Sequence, residues 1–194
     1  MSWPGIFYQE GEKEMNETGT LYFFTGLAGA GKTTIGRLFY KHLKEKKDNV
    51  VIFDGDEIRR VMGDGLGYSM QDRLRSSLNR HFPLCRLLTE QGIDVVTCNI
   101  SMFSQVRDWN RKHIQNYKEI YIKVSKETLY ARDQKGLYSS GAKNVIGADL
   151  PFDEPKTPDI IIENNGDRTA AQIVSDLEQQ LGLCMTLPPG ERSV

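Results

Sequence analysis

The chain has 194 residues, of which 39% are hydrophobic, with 25 lysines and arginines against 26 aspartates and glutamates. This length predicts one domain with a substantial core. The balanced charge excludes the overall basic field of a nucleic-acid or membrane-surface binder, so local charges must hold any anionic ligand. The longest apolar runs are strand-sized, well short of the roughly 20 residues of a membrane span, so we expect no membrane segment and a cytoplasmic protein.

Five apolar runs alternate with helical patterns along the chain. The predicted strands are residues 21–25, 50–53, 93–98, 119–124 and 159–162. The predicted helices are residues 33–46, 58–62, 69–91, 104–116, 126–132 and 169–181. This alternation predicts an α/β fold, a single domain over residues 20–182 with a five-stranded parallel sheet and helices on both faces.

Three segments lie outside the alternating pattern. Residues 1–19 mix polar residues with a few aromatic ones, and they form either a loose arm or a segment that docks. Residues 133–158 are rich in Gly, Pro, Asp and Lys and are too long for an ordinary connection, so they are either disordered or a functional lid. We favour the lid. Residues 183–194 are predicted to be a frayed C-terminal tail.

The stretch Gly26-Leu-Ala-Gly-Ala-Gly-Lys-Thr33 has the spacing G-x-x-x-x-G-K-[ST] between a predicted strand and a predicted helix. In that position its glycines allow the backbone to wrap a phosphate chain and to direct N–H groups at it. Lys32 would reach the β- and γ-phosphates of ATP, and the Thr33 hydroxyl would hold Mg²⁺. The residues predicted to bind ATP here are Gly26, Gly29, Ala30, Gly31, Lys32, Thr33 and Thr34. The alternative is a glycine-rich turn with an incidental lysine.

Phosphate loops of this kind serve GTPases, ATP-driven machines and small-molecule kinases. The chain has no Asn-Lys-x-Asp segment for reading guanine, which weighs against a GTPase. A small-molecule kinase needs a positioned acceptor hydroxyl, cations for the transferred charge and a segment that excludes water. Asp54 and Asp56 can orient Mg²⁺ or accept the hydroxyl proton. Arg59, Arg73 and Arg107 can hold anionic groups of the acceptor.

Five motifs, in order along residues 21–158, resemble those of the adenylyl-sulfate kinase (APS kinase) family. They are Gly26-Leu-Ala-Gly-Ala-Gly-Lys-Thr33, Asp54-Gly-Asp-Glu-Ile-Arg59, Leu66-Gly-Tyr-Ser-Met-Gln-Asp-Arg73, Ile100-Ser-Met-Phe103 with Arg107, and Arg132-Asp-Gln-Lys-Gly-Leu-Tyr138. The resemblance implies a P-loop kinase domain that uses ATP to phosphorylate the ribose 3′-hydroxyl of adenylyl sulfate (APS). It also implies a homodimer.

The same resemblance implies roles for individual residues. Asp56 would be the catalytic carboxylate, with Lys32 on the transferred phosphate, and Mg²⁺ would be held by Thr33, Asp54 and Asp56. Arg132 would contribute to the ATP site and, with Lys135, to the moving lid. The residues implied to contact the acceptor are Asp56, Arg59, Tyr68, Arg73, Ser101, Phe103 and Lys135.

The departures from the family pattern lie on the acceptor side. Ser76 stands where the family has an acceptor-binding Asn. The shorter lid reads Asn144-Val-Ile-Gly147 where the family has Gly-Phe-Thr-Gly, whose Phe faces the aromatic residue matched by Tyr68 across the substrate adenine. Loss of a stacking partner costs about 1–3 kcal/mol per base, enough to change base choice.

Three interpretations of the function follow from this pattern. The first is an APS kinase. The second is a kinase for another nucleotide conjugate, since one variant of the family phosphorylates cytidine diphosphoramidate and such a shift needs a changed base clamp. The third is a nucleotide-binding protein without turnover. The retained Lys32, Thr33 and Asp56 favour an enzyme, because a pure binder does not need a carboxylate beside the γ-phosphate.

Overall fold

The computed structural model describes residues 17–63, 65, 67, 69–133, 136–139 and 145–183. A five-stranded sheet forms its centre, with strand order β2-β3-β1-β4-β5 and every neighbouring pair parallel. The strands are β1 (Thr20–Thr25), β2 (Val50–Asp54), β3 (Asp94–Cys98), β4 (Asn116–Lys123) and β5 (Ile160–Glu163). The predicted α/β fold with a five-stranded parallel sheet is confirmed.

Helices connect and cover these strands. In the described part of the chain they are α1 (Lys32–Lys46), α2 (Gly55–Val61), α3 (Met70–Ser76), α4 (Phe82–Thr89), α5 (Ser104–His113), α6 (Lys126–Arg132) and α7 (Ala170–Gln180). A π-helical turn, Ser77–His81, joins α3 to α4, so the long helix predicted over residues 69–91 contains a wider turn in its middle. None of these helices is long and apolar enough to span a membrane.

Two predicted boundaries differ from those of the structure. Helix α5 ends at His113 and β4 begins at Asn116, whereas a helix to residue 116 was expected, because Asn116 pairs with Thr20 at the start of β1. Helix α2 follows β2 directly instead of starting at residue 58. The reason is that the Asp54 side chain accepts a hydrogen bond from the Asp56 N–H and caps the helix there.

Alternate residues of the central strands pack on opposite faces of the sheet, as strand geometry requires. On one face Phe24 packs with Phe39 of α1 and Val174 of α7. On the other face Phe23 meets Phe82 of α4 in an edge-to-face contact, with ring centroids 5.1 Å apart. Helices therefore bury both faces of the sheet, as is usual for parallel strands.

The strand order places a ligand site at the carboxyl end of β1. The chain adds β2 and β3 on one side of β1, and β4 and β5 on the other. Open α/β sheets bind ligands outside the carboxyl ends of the strands, at the point where the strand order reverses. The segments that leave the carboxyl ends of β1, β2 and β3 meet at this point.

The predicted lid comprises residues 133–158, and its later part is attached to the domain. The Asp153 N–H donates to the Met102 carbonyl at 3.0 Å, and its carboxylate accepts from the Ser104 N–H at 3.0 Å. The Glu154 carboxylate lies 3.0 Å from the Lys123 ammonium group. Residues 134, 135 and 140–144 of the predicted lid lie outside the described residues, as do most of the predicted N-terminal arm and C-terminal tail.

Candidate active site

A cleft of about 740 Å³ opens at the carboxyl edge of the sheet. One wall is the loop between β1 and α1, which we call the phosphate loop (residues 26–31). The opposite wall is formed by α2 and by the helical run from α3 to α4. The loop that follows β3, residues 99–103, contributes to the lining between these walls.

Glycines give the phosphate loop its course. Gly31 caps α1 with a φ of 98°, and a Cβ atom there would lie 2.6 Å from the Asn164 Nδ2 atom. Gly26 has a φ of 146°, and a Cβ atom there would lie 2.4 Å from the Ile122 carbonyl oxygen. Side chains would therefore be strained at both positions. With glycine there, the loop turns tightly and the positive end of α1 faces the cleft.

Lys32, the first residue of α1, is buried beneath this loop. Its ammonium group donates to the Leu27 carbonyl at 2.7 Å. Burial away from water lowers the pKa of Lys32 to about 8, although the carboxylates of Asp56 and Asp54 act in the opposite direction. The ammonium group is therefore poorly solvated, and an anion in the cleft interacts with it more strongly than an anion in water would.

Thr33 and the carboxyl end of β2 bring together oxygen ligands. The Thr33 hydroxyl donates to Asp54 Oδ2 at 2.9 Å, and Asp56 lines the same cleft from the first turn of α2. No described group of three or more His, Cys, Asp or Glu residues could hold a metal ion by itself. This donor set fits Mg²⁺, which binds through one or two carboxylates, substrate phosphates and water.

Four arginines line the opposite wall. They are Arg59 and Arg60 of α2, Arg73 of α3 and Arg80 of the π-helical turn. Arg59 also donates to the Gly67 carbonyl at 2.9 Å. Guanidinium groups bind phosphate and similar oxyanions through paired N–H groups, so this wall suits an acceptor with an anionic chain.

Residues after β3 complete the lining of the cleft. Ser101 and Phe103 are buried and line it, and the Ser101 hydroxyl lies 2.7 Å from the Ser77 hydroxyl of the π-helical turn. This contact holds the loop after β3 against the helical run. The groups predicted to bind phosphate and those predicted to bind the acceptor therefore line one cleft, as direct transfer between two bound molecules requires.

The sequence model of the family described as "Adenylylsulphate kinase" matches residues 18–163. The chain belongs to the adenylylsulphate kinase family. It is 42% identical over 149 residues to the cytidine diphosphoramidate kinase of Campylobacter jejuni, a match that covers 75% of this chain and 86% of that protein. It is 32% identical over 165 residues to the adenylyl-sulfate kinase of Bacillus velezensis, covering 82% and 83%. The predicted family and kinase activity are confirmed.

Solved structures agree with this assignment. The chain resembles the APS kinase CysC of Mycobacterium tuberculosis, solved in complex with AMPPNP and APS, with a TM-score of 0.77 and 29% identity. That match covers 85% of this chain and 98% of the other. The family fold therefore extends over nearly the whole of the described domain.

Most of the residues that the sequence marked for the kinase site come together. Those that line the cleft are Gly29, Gly31, Lys32, Thr33, Thr34, Asp54, Asp56, Arg59, Arg73, Ser101 and Phe103. Gly26 and Ala30 belong to the phosphate loop without lining this cleft. Tyr68 and Lys135 lie outside the described residues.

Arg132 lies behind the phosphate loop. Its guanidinium group donates to the Gly29 carbonyl at 3.3 Å and to the Asn164 carbonyl at 2.8 Å. It also borders a second cavity of about 370 Å³, shared with Thr34 and Ile173. This cavity adjoins the phosphate loop, since Gly29 and Gly31 also line it.

Arg107 has a structural place in this kinase instead of the acceptor contact expected from the sequence. Its side chain is buried in α5, with Nε 3.6 Å from a Glu119 carboxylate oxygen. Another of its nitrogens donates to the Asp153 carbonyl at 2.9 Å. Its charge is thus used to join the segment around residue 153 to α5, and Arg107 does not line the cleft.

The π-helical turn contributes cleft residues that the sequence analysis did not assign. Arg80 lines the wall opposite the phosphate loop, and so does His81, whose Nε2 lies 2.7 Å from the Thr97 hydroxyl. Burial lowers the pKa of His81 to about 4, so this imidazole is neutral near pH 7. The seven-residue spacing of Arg73 and Arg80, two helical turns, is the signal that could have identified Arg80.

Proposed function

We propose that this kinase transfers the γ-phosphoryl group of ATP to the ribose 3′-hydroxyl of a cytidine diphosphate conjugate such as cytidine diphosphoramidate. The observation that carries the proposal is the acceptor half of the cleft. Ser76 lines it where the resemblance expects an asparagine, and Ile146 lines it from the segment Asn144-Val-Ile-Gly147, where the family has Gly-Phe-Thr-Gly. The 42% identity to the Campylobacter jejuni kinase supports it.

Ile146 gives the proposed base site an aliphatic wall. It is buried at 3% exposure and packs with the core on one side while it lines the cleft on the other. Val145 is also buried but does not line the cleft, so of these two residues Ile146 is the one placed to meet a base. An aliphatic wall lacks the stacking on a purine that a phenylalanine provides, which contributes about 1–3 kcal/mol per base. A pyrimidine has a smaller ring system, so its binding loses less stacking energy by this change.

APS is the second candidate acceptor. The retained Arg59 and Arg73, together with Ser101 and Phe103, line the cleft where the family resemblance puts acceptor contacts. These residues hold the anionic chain and the ribose in either case. The two candidates therefore differ in the base, and kinetics with both compounds separate them.

The geometry supports direct in-line transfer. The phosphate loop and Lys32 hold the triphosphate, and the arginines hold the acceptor. Asp56 accepts the proton of the 3′-hydroxyl while the hydroxyl oxygen bonds to the γ-phosphorus. The bond from that phosphorus to the oxygen that bridges it to the β-phosphate breaks, and ADP leaves. Thr33 and Asp54 would hold Mg²⁺, which would neutralise charge on the phosphate oxygens.

The acceptor assignment predicts a clear preference. At saturating MgATP, we expect kcat/KM for cytidine diphosphoramidate to exceed that for APS by at least about tenfold, since one lost stacking partner costs about 1–3 kcal/mol. Steady-state kinetics with both compounds measure this ratio. Equal or better use of APS would restore APS as the acceptor, and rejection of both compounds would contradict the proposal.

Two arginines of α3 provide a matched pair for the same assay. Arg73→Ala should raise the acceptor KM much more than the ATP KM, because Arg73 lines the acceptor half of the cleft. Arg75, on the same helix, is exposed and outside the cleft lining, so Arg75→Ala serves as the control. Equal effects of the two substitutions would remove Arg73 from the acceptor site.

The buried Lys32 predicts a pH dependence of ATP use. Burial lowers its pKa to about 8 in the free enzyme, so raising the pH through that value removes the cation that attracts the triphosphate. We expect kcat/KM for ATP to fall above this pH. We expect kcat to stay level there, because the bound triphosphate keeps Lys32 protonated. A kcat/KM that stays level well above this pH would contradict the prediction, and thermal unfolding at each pH controls for loss of the fold.

We further propose that residues 139–148 act as the lid. The Tyr138 contact with the Ala28 carbonyl fixes the start of the segment, and the contacts of Asp153 and Glu154 fix its later part, so closure is confined to the residues between them. Addition of a non-hydrolysable ATP analogue with the acceptor should raise amide protection in residues 139–148 and leave residues 153–158 nearly unchanged. Hydrogen exchange measures both regions, and unaltered protection in the first would rule out a lid.

A further inference from the structure

Four consecutive carbonyl groups of the phosphate loop accept hydrogen bonds from side chains. The Leu27 carbonyl accepts from Lys32 (2.7 Å), Ala28 from the Tyr138 hydroxyl (2.8 Å), Gly29 from Arg132 (3.3 Å) and Ala30 from Asn164 Nδ2 (2.8 Å). The donors come from α1, the end of α6, the turn after α6 and the end of β5. Lys32 lines the cleft, whereas the cleft lining does not include Tyr138, Arg132 or Asn164, so these three side chains contact the loop from its outer side.

Peptide geometry connects these outer contacts to the inner side of the loop. In a trans peptide, the carbonyl of one residue and the N–H of the next point in opposite directions. A hydrogen bond that holds the Ala28 carbonyl therefore also orients the Gly29 N–H, and one that holds the Ala30 carbonyl orients the Gly31 N–H. Both glycines line the cleft, and no acceptor for either N–H lies among the described residues.

The donors Tyr138 and Asn164 are themselves held in place. The Tyr138 N–H donates to the Asp133 carboxylate at 2.9 Å, and its ring packs against Tyr130 with centroids 5.1 Å apart. Asn164 continues the pairing of β5 with β4, because its N–H donates to the Lys123 carbonyl at 2.9 Å. Neither side chain carries a charge that would attract phosphate directly.

We propose that Tyr138 and Asn164 are positioning residues, which hold the phosphate loop in its anion-binding conformation before the triphosphate binds. A loop with three glycines in six residues samples many conformations when it is free. Restricting it to one conformation on binding costs conformational entropy. Hydrogen bonds on its outer side remove part of that cost in advance. The inference rests on the proposed function only in requiring that this loop binds phosphate.

Tyr138→Phe is the decisive variant, because it removes one hydroxyl group and keeps the ring. Tyr130→Phe is its matched control: this neighbouring ring is 55% exposed, and its hydroxyl has no hydrogen-bond partner among the described residues. Asn164→Ala tests the second contact. Titration calorimetry without acceptor gives the dissociation constants of MgATP and of inorganic tripolyphosphate, which contacts the phosphate site alone.

We expect Tyr138→Phe and Asn164→Ala each to weaken both ligands by about 3–10-fold, the effect of one net hydrogen bond, and Tyr130→Phe to leave both unchanged. Acceptor affinity and the unfolding temperature of the ligand-free Tyr138→Phe protein should stay as in the parent. Unchanged affinity in Tyr138→Phe would overturn the proposal, and so would an equal loss of acceptor affinity. The titrations with MgATP and tripolyphosphate need neither acceptor nor turnover, so a wrong acceptor assignment does not affect their outcome.

Discussion

Lys32→Ala should lower kcat by at least about 10²–10³-fold, the range found when one preorganised donor to a developing charge is removed. The phosphate loop then loses its side-chain cation at the γ-phosphate. The fold should persist, because the Leu27 carbonyl that Lys32 contacts also accepts from the Ala30 N–H at 3.2 Å. Turnover of MgATP with the preferred acceptor gives kcat, and thermal unfolding confirms that the domain is intact.

Lys41→Ala is the matched control for this change. Lys41 lies on α1 as well, but its side chain is exposed and does not line the cleft. We expect near-parental turnover from this variant. If Lys32→Ala also retained a near-normal kcat, Lys32 would not act on the transferred phosphate and the proposed mechanism would fail.

Asp56→Asn should lower kcat by at least the roughly 10²-fold that acid–base catalysis contributes, because the amide keeps the shape of the side chain but cannot accept the hydroxyl proton. ATP binding should change little, since the phosphate loop is untouched. Rapid-quench measurement of a single turnover would separate the chemical step from product release. A kcat equal to the parental value would transfer the role of proton acceptor from Asp56 to Asp54.

Two neighbouring carboxylates serve as comparisons for Asp56. Glu57→Gln changes an exposed side chain that pairs with Arg37 at 3.1 Å outside the cleft, and we expect nearly parental kcat. Asp54→Asn alters the carboxylate that accepts from Thr33, so its main effect should be a higher Mg²⁺ concentration for half-maximal activity. A strong, magnesium-independent loss of kcat in Asp54→Asn would assign both carboxylates to the chemical step.

The parts of the site that could be predicted are those contained in short contiguous segments. The phosphate loop could be recognised because the strand, the glycines, Lys32 and Thr33 follow one another directly. Asp54 and Asp56 could be placed because a buried strand must deliver its last residues to the carboxyl edge of the sheet. Ser69 caps α3 by accepting from the Asp72 N–H, a contact that also lies within one short segment.

Helical periodicity was less informative about individual arginines. It places a residue on a helix face, but it does not say which neighbour that face meets. Arg107 resembles an acceptor ligand in the sequence, yet it is buried against Glu119 because α5 packs on β4 there. Arg80 follows Arg73 by two helical turns, a spacing that puts both on one helix face, but only the structure shows that this face lines the cleft.

The sequence by itself determined the sheet, the phosphate loop, the position of the two carboxylates after β2 and the family, because each rests on local spacing or on a contiguous motif. The homodimer that the resemblance implies stays a prediction. Only the tertiary structure decided which side chains support the loop from outside. Asn164 is 134 positions from Ala30, and Tyr138 is 110 from Ala28. They meet because parallel strands bring their carboxyl ends to one edge of the sheet. The spacing of residues along the sequence does not predict which side chains come into contact there.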